Sequence, residues 1–447
     1  MVVEDWLGRA ALAHPRRVAL QTPAGSWSYA ELRAHALAGA GELAERGVGP
    51  GERVAIALPA GLAFAQALHA CMQLGAVAVP VDLRLSETER ARIAAGCSLA
   101  LGERLAPAGA GAGGPEPPSE ARRVHHLGAV LAIIHTSGTT AAPRPIELTY
   151  GNFLWSALGS AVALGLDPDE RWLCALPLSH VGGLSILIRS AIHATCAVVH
   201  ERFETDRVVQ ALRAQRVTLV SLVATTLARL LDAGLERPPA LRCALTGGGP
   251  VPAALVERAR AAGVPVSLTY GLTESCSQAT TTPAADLAAG RHTAGPPLFC
   301  TRVRIAADGE ILLRGPTIAP AAPAADGWLH TGDLGTADGE GRLHVSARKS
   351  ETIVSGGENV APAEVEAVLE AHPAVAEAAV VGRPDPAWGE QVTAIVVVRA
   401  GTVLAPGDLR EHCAAALAPY KVPKLIELAP GPLPRTPSGK LLRRSLR

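Results

Sequence analysis

The apolar and polar positions divide the chain into three regions. Residues 1–50 read as an amphipathic helix, a short hairpin turning at Ala24-Gly25, and a helix over 29–46 that Ser28 caps and Gly47 closes. Residues 54–81 then carry no charge at all, a run long enough to mimic a membrane span. Pro59, Gly61, Gly75 and Pro80 punctuate it, however, and Gln66, His69 and Gln73 interrupt its apolar surface. The pattern is that of a buried βαβ unit, with strands over 54–58 and 76–81 apolar on both faces and a helix over 62–74 between them. A further helix is predicted over 86–95. The Ala/Gly/Pro-rich stretch 105–119 cannot bury enough to fold and reads as a flexible surface connection.

From residue 129 onward apolar runs at 129–134, 172–176, 197–200, 218–223, 241–245 and 264–268 alternate with helical patterns such as 205–214 and 253–262. That alternation is the mark of α/β layers with parallel strands. Near 302–314 it changes to short β segments, which predicts a small β-barrel-like subdomain. The composition shifts again at 346–351. Beyond it come the turn Ser355-Gly356-Gly357, a helix opened by Pro362, strands near 376–381 and 393–398, a helix over 409–417 and a basic tail. The expected organisation is therefore α/β: a large domain of layered α/β sheets over 1–346, a hinge over 347–350, and a smaller α+β domain over 351–447.

Length agrees with this division, since 447 residues are too many for one simple core. The 41 basic residues balance the 41 acidic ones, which gives no general attraction to nucleic acid or to an anionic membrane. Eight cysteines are scattered without a CxxC pair, as expected for reduced thiols in a cytoplasmic protein with no zinc site. Glu4 and Asp5 near the start do not fit a signal-peptide layout. Only four of the basic residues are lysines: Lys349, Lys421, Lys424 and Lys440.

Six clusters offer chemistry. Thr136, Ser137, Gly138, Thr139 and Thr140 follow an apolar run and can present hydroxyls and backbone N–H groups to phosphate oxygens, although alone they serve equally as a solvated loop. Leu176-Pro177-Leu178-Ser179-His180 ends a predicted strand, where α/β sheets bind ligands; a lone His180 is as readily structural. Gly247-Gly248-Gly249 could be a tight turn or a surface against which a flat ring lies. Tyr270-Gly271-Leu272-Thr273-Glu274 supplies an aromatic face, a hydroxyl and a carboxylate suited to a base, a phosphate and a divalent cation. His330-Thr331-Gly332-Asp333 offers a carboxylate to the two hydroxyls of a ribose, or an ordinary turn. Pro437-Ser438-Gly439-Lys440 lies in a basic tail, yet in so arginine-rich a chain a lysine suggests a place where a compact ammonium is needed.

In their order and spacing, TSGTT, LPLSH, GGG, YGLTE, HTGDL, a late arginine and PSGK resemble the core motifs of the adenylate-forming superfamily of acyl-CoA synthetases, adenylation domains and luciferases. The resemblance covers nearly the whole chain. It implies that the small C-terminal domain is mobile and that the chain catalyses a two-step reaction. A carboxylate attacks the α-phosphate of ATP to give an acyl-adenylate and pyrophosphate, and a thiol then displaces AMP. It implies that Thr136–Thr140 clamp the ATP phosphates, that Gly247, Gly248, Gly249, Tyr270 and Gly271 hold adenine, and that Thr273 contacts phosphate. Glu274 would bind Mg²⁺, Asp333 and Arg348 the ribose, and Lys440 would bridge the carboxylate and the α-phosphate.

The runs Tyr150–Asn152, Trp155–Ala157, His180–Ser190, Glu274–Gln278 and Ser355–Asn359 look closest to the 2-succinylbenzoate–CoA ligases of menaquinone biosynthesis. That branch implies an aromatic diacid as substrate, coenzyme A as co-substrate, and His180, Arg189, Ser277 and Gln278 in the acyl pocket. It is also compatible with a homodimer, and implies neither a nucleic-acid partner nor a membrane span. Two other readings stay open at this point: another aryl- or acyl-CoA ligase, and a nucleotide-binding homologue with little turnover. Ala141, Ala142, Arg144 and Pro145 stand where the superfamily usually continues with glycines and lysines, and Ser350 stands at the hinge position where it often carries Asp or Lys.

Overall fold

Local capping places the helices where the sequence predicts them. In a computed structural model describing residues 1–108, 123–136, 144–283, 286, 291–355, 358–386, 388–435 and 441–447, Ser28 opens the helix Tyr29–Glu45 through a reciprocal capping box with Glu31. Ser86 does the same with Glu89 for Glu87–Ala94. The uncharged stretch forms the expected βαβ unit: strands Arg53–Ile56 and Val77–Pro80 lie parallel, joined by the helix Leu62–Leu74, which is buried on nearly every side. Gly75 ends that helix at φ 68°, a left-handed turn that glycine adopts without strain. Among the described residues no helix is long and apolar enough to cross a membrane.

Two sheets carry the large domain. One has five strands, in the order Leu99–Leu101, Arg53–Ile56, Val77–Pro80, Val130–Thr136, Arg144–Thr149. The other has eight, in the order Thr280–Thr281, Val266–Tyr270, Cys243–Thr246, Leu219–Leu222, Arg171–Cys174, Cys196–Val199, Val18–Thr22, Gly25–Ser28. The helices Tyr29–Glu45, Leu62–Leu74 and Val181–His193 share one continuous apolar core that draws on strands of both sheets. A second core, with Val208, Leu212, Leu227 and Leu230, covers the opposite face of the larger sheet.

The short β segments after residue 301 take the form of a four-stranded antiparallel sheet, Arg302–Ile305, Glu310–Arg314, Leu329–Ala337 and Leu343–Arg348, whose outer strands do not pair. A one-turn 3₁₀ helix, Lys349–Glu351, then leads into the C-terminal sheet. There the long hairpin Val375–Asp385 and Gly389–Val398 packs against the helices Pro362–Glu370 and Pro406–Ala416 around a separate core. The last of these helices begins earlier than the predicted 409, because Pro406 fits a first helical position that needs no N–H donor.

Candidate active site

Parallel strands deliver their C-terminal ends to one edge of the larger sheet, and the glycine-rich and aromatic motifs sit there. Gly247 follows the strand Cys243–Thr246. A Cβ on it would lie 2.7 Å from both the carbonyl oxygen and Cγ2 of Thr269, so the neighbouring strand permits only glycine. Gly248 adopts φ 79°, while Gly249 has open space beside it. Tyr270 ends the strand Val266–Tyr270, and its phenol donates a 2.7 Å hydrogen bond to Oδ2 of Asp333. Burial, and then the Asp333 carboxylate, push the phenol above its ordinary pKa, which keeps it a donor.

Asp333 and Arg348 are cross-strand partners in the antiparallel sheet, so the pairing register itself brings them together. Arg348 Nη1 donates to Asp333 Oδ1 at 2.6 Å and to the carbonyl of Thr331 at 3.1 Å. Asp333 is buried while Arg348 remains partly exposed. Tyr270, Asp333 and Arg348 thus form one chain of contacts between the main sheet and the subdomain.

After Tyr270 the backbone folds tightly on itself. A Cβ on Gly271 would lie 1.6 Å from the Ser277 carbonyl oxygen. Thr273–Ser275 forms a single 3₁₀ turn, and Cys276 and Ser277 both adopt positive φ, 52° and 88°. Positive φ is costly for side chains of this kind and is held here by the hydrogen bonds around it: Ser277 N–H to the Leu272 carbonyl, and Ser275 Oγ to the Leu272 carbonyl. Glu274 sits on this turn, and its side chain makes no hydrogen bond or ion pair with the described residues. A lone carboxylate of this kind suits Mg²⁺, which takes one or two protein carboxylates and completes its shell with phosphate oxygens and water. Among the described residues there is no cluster of three or more His, Cys, Asp or Glu that would hold a metal unaided.

The acyl-pocket candidates divide. Arg189, on the helix Val181–His193, is buried, with its guanidinium 4.8 Å from the centre of the Trp172 ring. It donates a long 3.4 Å hydrogen bond to Ser156 Oγ, which donates at 2.7 Å to the carbonyl of Cys276. Its Nε has no partner, and no carboxylate among the described residues pairs with it. Burial lowers its pKa to about 10, which leaves it charged at neutral pH. Gln278, two residues beyond Cys276, is buried with its Oε1 unpaired while Nε2 donates to Thr281 Oγ1. Arg189, Ser277 and Gln278 therefore adjoin the same turn. His180 stands apart from them, at the N-cap of Arg189's helix, its Nε2 3.9 Å from Asp82 Oδ2.

Two residues of this arrangement, Ser156 and Trp172, are not singled out by the sequence motifs. Ser156 lies within one of the quoted runs, but nothing local distinguishes it from any other buried helix serine. Thr136 ends the strand Val130–Thr136, paired with Arg144. Ser137, Gly138, Thr139, Thr140 and Lys440 lie outside the described residues.

The model of the family described as AMP-binding enzyme matches residues 7–321, and that of its C-terminal domain matches residues 364–440. A 2-succinylbenzoate–CoA ligase of Bacillus cytotoxicus is 37% identical, covering 99% of this chain and 98% of its own. The solved structure of o-succinylbenzoate CoA synthetase from Bacillus subtilis in complex with the acyl-adenylate intermediate OSB-AMP aligns at a TM-score of 0.91, with 36% identity over 100% of this chain and 98% of that one. The same enzyme in complex with ATP and magnesium ion aligns at 0.90, with 36% identity and full coverage of both chains. With a family model matching residues 7–321 and relatives above 30% identity over nearly the whole chain, the chain belongs to the AMP-binding enzyme family.

Proposed function

We propose that the chain is an AMP-forming acid–thiol ligase that converts 2-succinylbenzoate and coenzyme A to 2-succinylbenzoyl-CoA through an acyl-adenylate, using ATP, in menaquinone biosynthesis. In this reading it works in the cytoplasm as a homodimer. The observation that carries the choice of acid is the buried Arg189, a full positive charge with no carboxylate partner among the described residues, beside the turn that carries Ser277 and Gln278. An unpaired buried charge is expensive, and the second carboxylate of a diacid would supply the missing partner.

The geometry around Tyr270 supports the nucleotide end of this reading. Asp333 accepts from Tyr270 and Arg348 in the protein alone, and the same carboxylate is the acceptor for the ribose hydroxyls. Gly248 and Gly249 leave backbone exposed to the flat base. Glu274 would hold Mg²⁺, which supplies positive charge against the phosphates. Thr136–Thr140 and Thr273 hold the phosphate oxygens. Two anions must meet in line during adenylation, so the chain has to fix both and offset their repulsion. Lys440 provides an ammonium at that point from the C-terminal domain.

In this reading Lys440 serves the first step only, and the C-terminal domain turns about residues 347–350 before the thiol reacts. Lys349 anchors the large-domain side of that hinge through Asp308 at 2.6 Å and Glu310 at 3.3 Å.

Purified protein mixed with ATP, Mg²⁺, coenzyme A and a panel of acids, with products read by mass spectrometry, tests the reading. Selective formation of 2-succinylbenzoyl-CoA is expected. Preference for benzoate or a fatty acid would assign a different ligase, and nucleotide binding with no AMP from any acid would assign a homologue without turnover.

A further inference from the structure

The helix Tyr150–Leu164 and the two residues after it, 150–166, contain no charged side chain. One side is properly buried, through Phe153, Ser156, Ala157 and Ser160. The opposite side repeats apolar residues at helical spacing, Trp155, Leu158 and Val162, and Leu166 follows just past the end of the helix. Val162 is 66% exposed and Leu166 54%. Phe299, 58% exposed, lies beside this stripe with its ring 6.2 Å from that of Trp155. A surface helix ordinarily turns charged or polar residues outward, and contiguous exposed apolar stripes mark contact sites.

The two ends of the stripe carry opposite charges. Asp167 and Asp169 follow its C-terminal end, exposed and without an ion pair among the described residues, although Asp167 is close enough for Arg242 to feel its charge. At the other end, three residues past Phe299, Arg302 lies directly across from Arg314 in the antiparallel pair. Both are exposed, and neither has an acidic partner among the described residues. Like charges opposite one another on a sheet repel unless something meets them.

We infer that this face is the two-fold interface with a second copy of the chain, the helices running antiparallel about Val162. In that arrangement Val162 lies near the axis, and Asp167 and Asp169, past the C-terminal end of one helix, turn toward the Trp155 end of the other, where Phe299 lies and Arg302 follows three residues on. An isologous contact must be self-complementary, and a stripe with acids at one end and arginines at the other satisfies this only when reversed on itself. The formal net charge of zero leaves no long-range repulsion between copies. A lipid surface is the poorer occupant, because no basic residue lies within the stripe. The homodimer is the one in the reading above, but the interface does not depend on that reading's chemistry.

Sedimentation velocity on the full chain at micromolar concentration tests it without reference to activity. A dimer is expected, and Val162→Glu should raise its dissociation constant tenfold or more. Asp169→Arg and Arg302→Asp should each weaken the dimer, and the two together should restore it. Val162→Cys should give a cross-linked dimer on mild oxidation with diamide, which the parent chain does not. A parent chain that is monomeric at about 50 µM, a monomer that pellets with phosphatidylcholine vesicles, or a dimer indifferent to Val162→Glu and to both charge reversals would each overturn the assignment.

Discussion

Tyr270 and Asp333 lie 63 residues apart in sequence, yet their side chains meet in a 2.7 Å hydrogen bond that joins the main sheet to the antiparallel subdomain. The other oxygen of Asp333 is held by Arg348. Asp333→Asn keeps the size and removes the charge. It should lower kcat/KM for ATP by about 10- to 100-fold, the equivalent of roughly 1.5–3 kcal/mol for hydrogen bonds to a charged group. Tyr270→Phe removes one neutral donor and should cost only about fivefold. Steady-state kinetics with ATP varied at saturating acid and coenzyme A check the order; equal losses in the two variants would contradict it.

Gly271 and Gly249 are both motif glycines, but their surroundings differ. A Cβ at 271 would overlap the Ser277 carbonyl oxygen, and its backbone neighbours leave no flexible group to move aside. Gly271→Ala should therefore destabilise the chain by about 2 kcal/mol or more and displace Ser277 and Gln278. Gly249 has nothing within 4 Å of the same position. Gly249→Ala should leave Tm unchanged within about one degree, whatever it does to nucleotide affinity. Differential scanning calorimetry on the two variants separates them.

Lys440→Ala should divide the reaction. Adenylate formation from ATP and acid should drop by a factor of about 10² or more, the scale of losing one preorganised charge at a developing oxyanion. Thioester formation from supplied acyl-adenylate and coenzyme A should largely survive. Pyrophosphate release and single-turnover thioester formation measure the two halves independently, and equal loss in both would remove Lys440 from the role given to it.

How much of this was legible in the sequence depended on the range of the interaction. Helix starts at Ser28 and Ser86 were legible because a capping box is settled within four residues. The hairpin at Ala24-Gly25 was legible too, but not its place beside Cys196–Val199 at the edge of the larger sheet, since that pairing joins segments some 175 residues apart. The glycine and tyrosine motifs marked strand ends correctly. Why Gly271 must be glycine depends on Ser277 folding back, which no local pattern shows. The link from Arg189 through Ser156 to Cys276 spans three separate elements, and Ser156 and Trp172 each look like ordinary core residues until those elements pack.

Glu370 gives a prediction in pH. It lies one turn beyond Glu366 on the helix Pro362–Glu370, and its carboxyl is pushed up to about 7, first by burial and then by the Glu366 carboxylate. An unfolded glutamate titrates near 4.3. Between about pH 4.5 and 7 the folded chain therefore keeps a proton that the unfolded chain has released, so this group's contribution to stability is present below that window and is lost as pH rises through it. Glu370→Gln holds the neutral form at every pH. It should match the parent near pH 4 and exceed it by roughly 3 kcal/mol at pH 8, at about 1.4 kcal/mol for each pH unit of displacement. Other carboxylates in the chain, such as Asp338 held at about 2 by its hydrogen bonds from Arg342, act in the opposite direction, so the slope of the parent alone is uninformative. The difference between variant and parent isolates the one group. Urea unfolding followed by circular dichroism from pH 4 to pH 8 should show that difference growing across the window and levelling above it. A difference that stays flat with pH would mean that Glu370 is already ionised in the folded chain at pH 5.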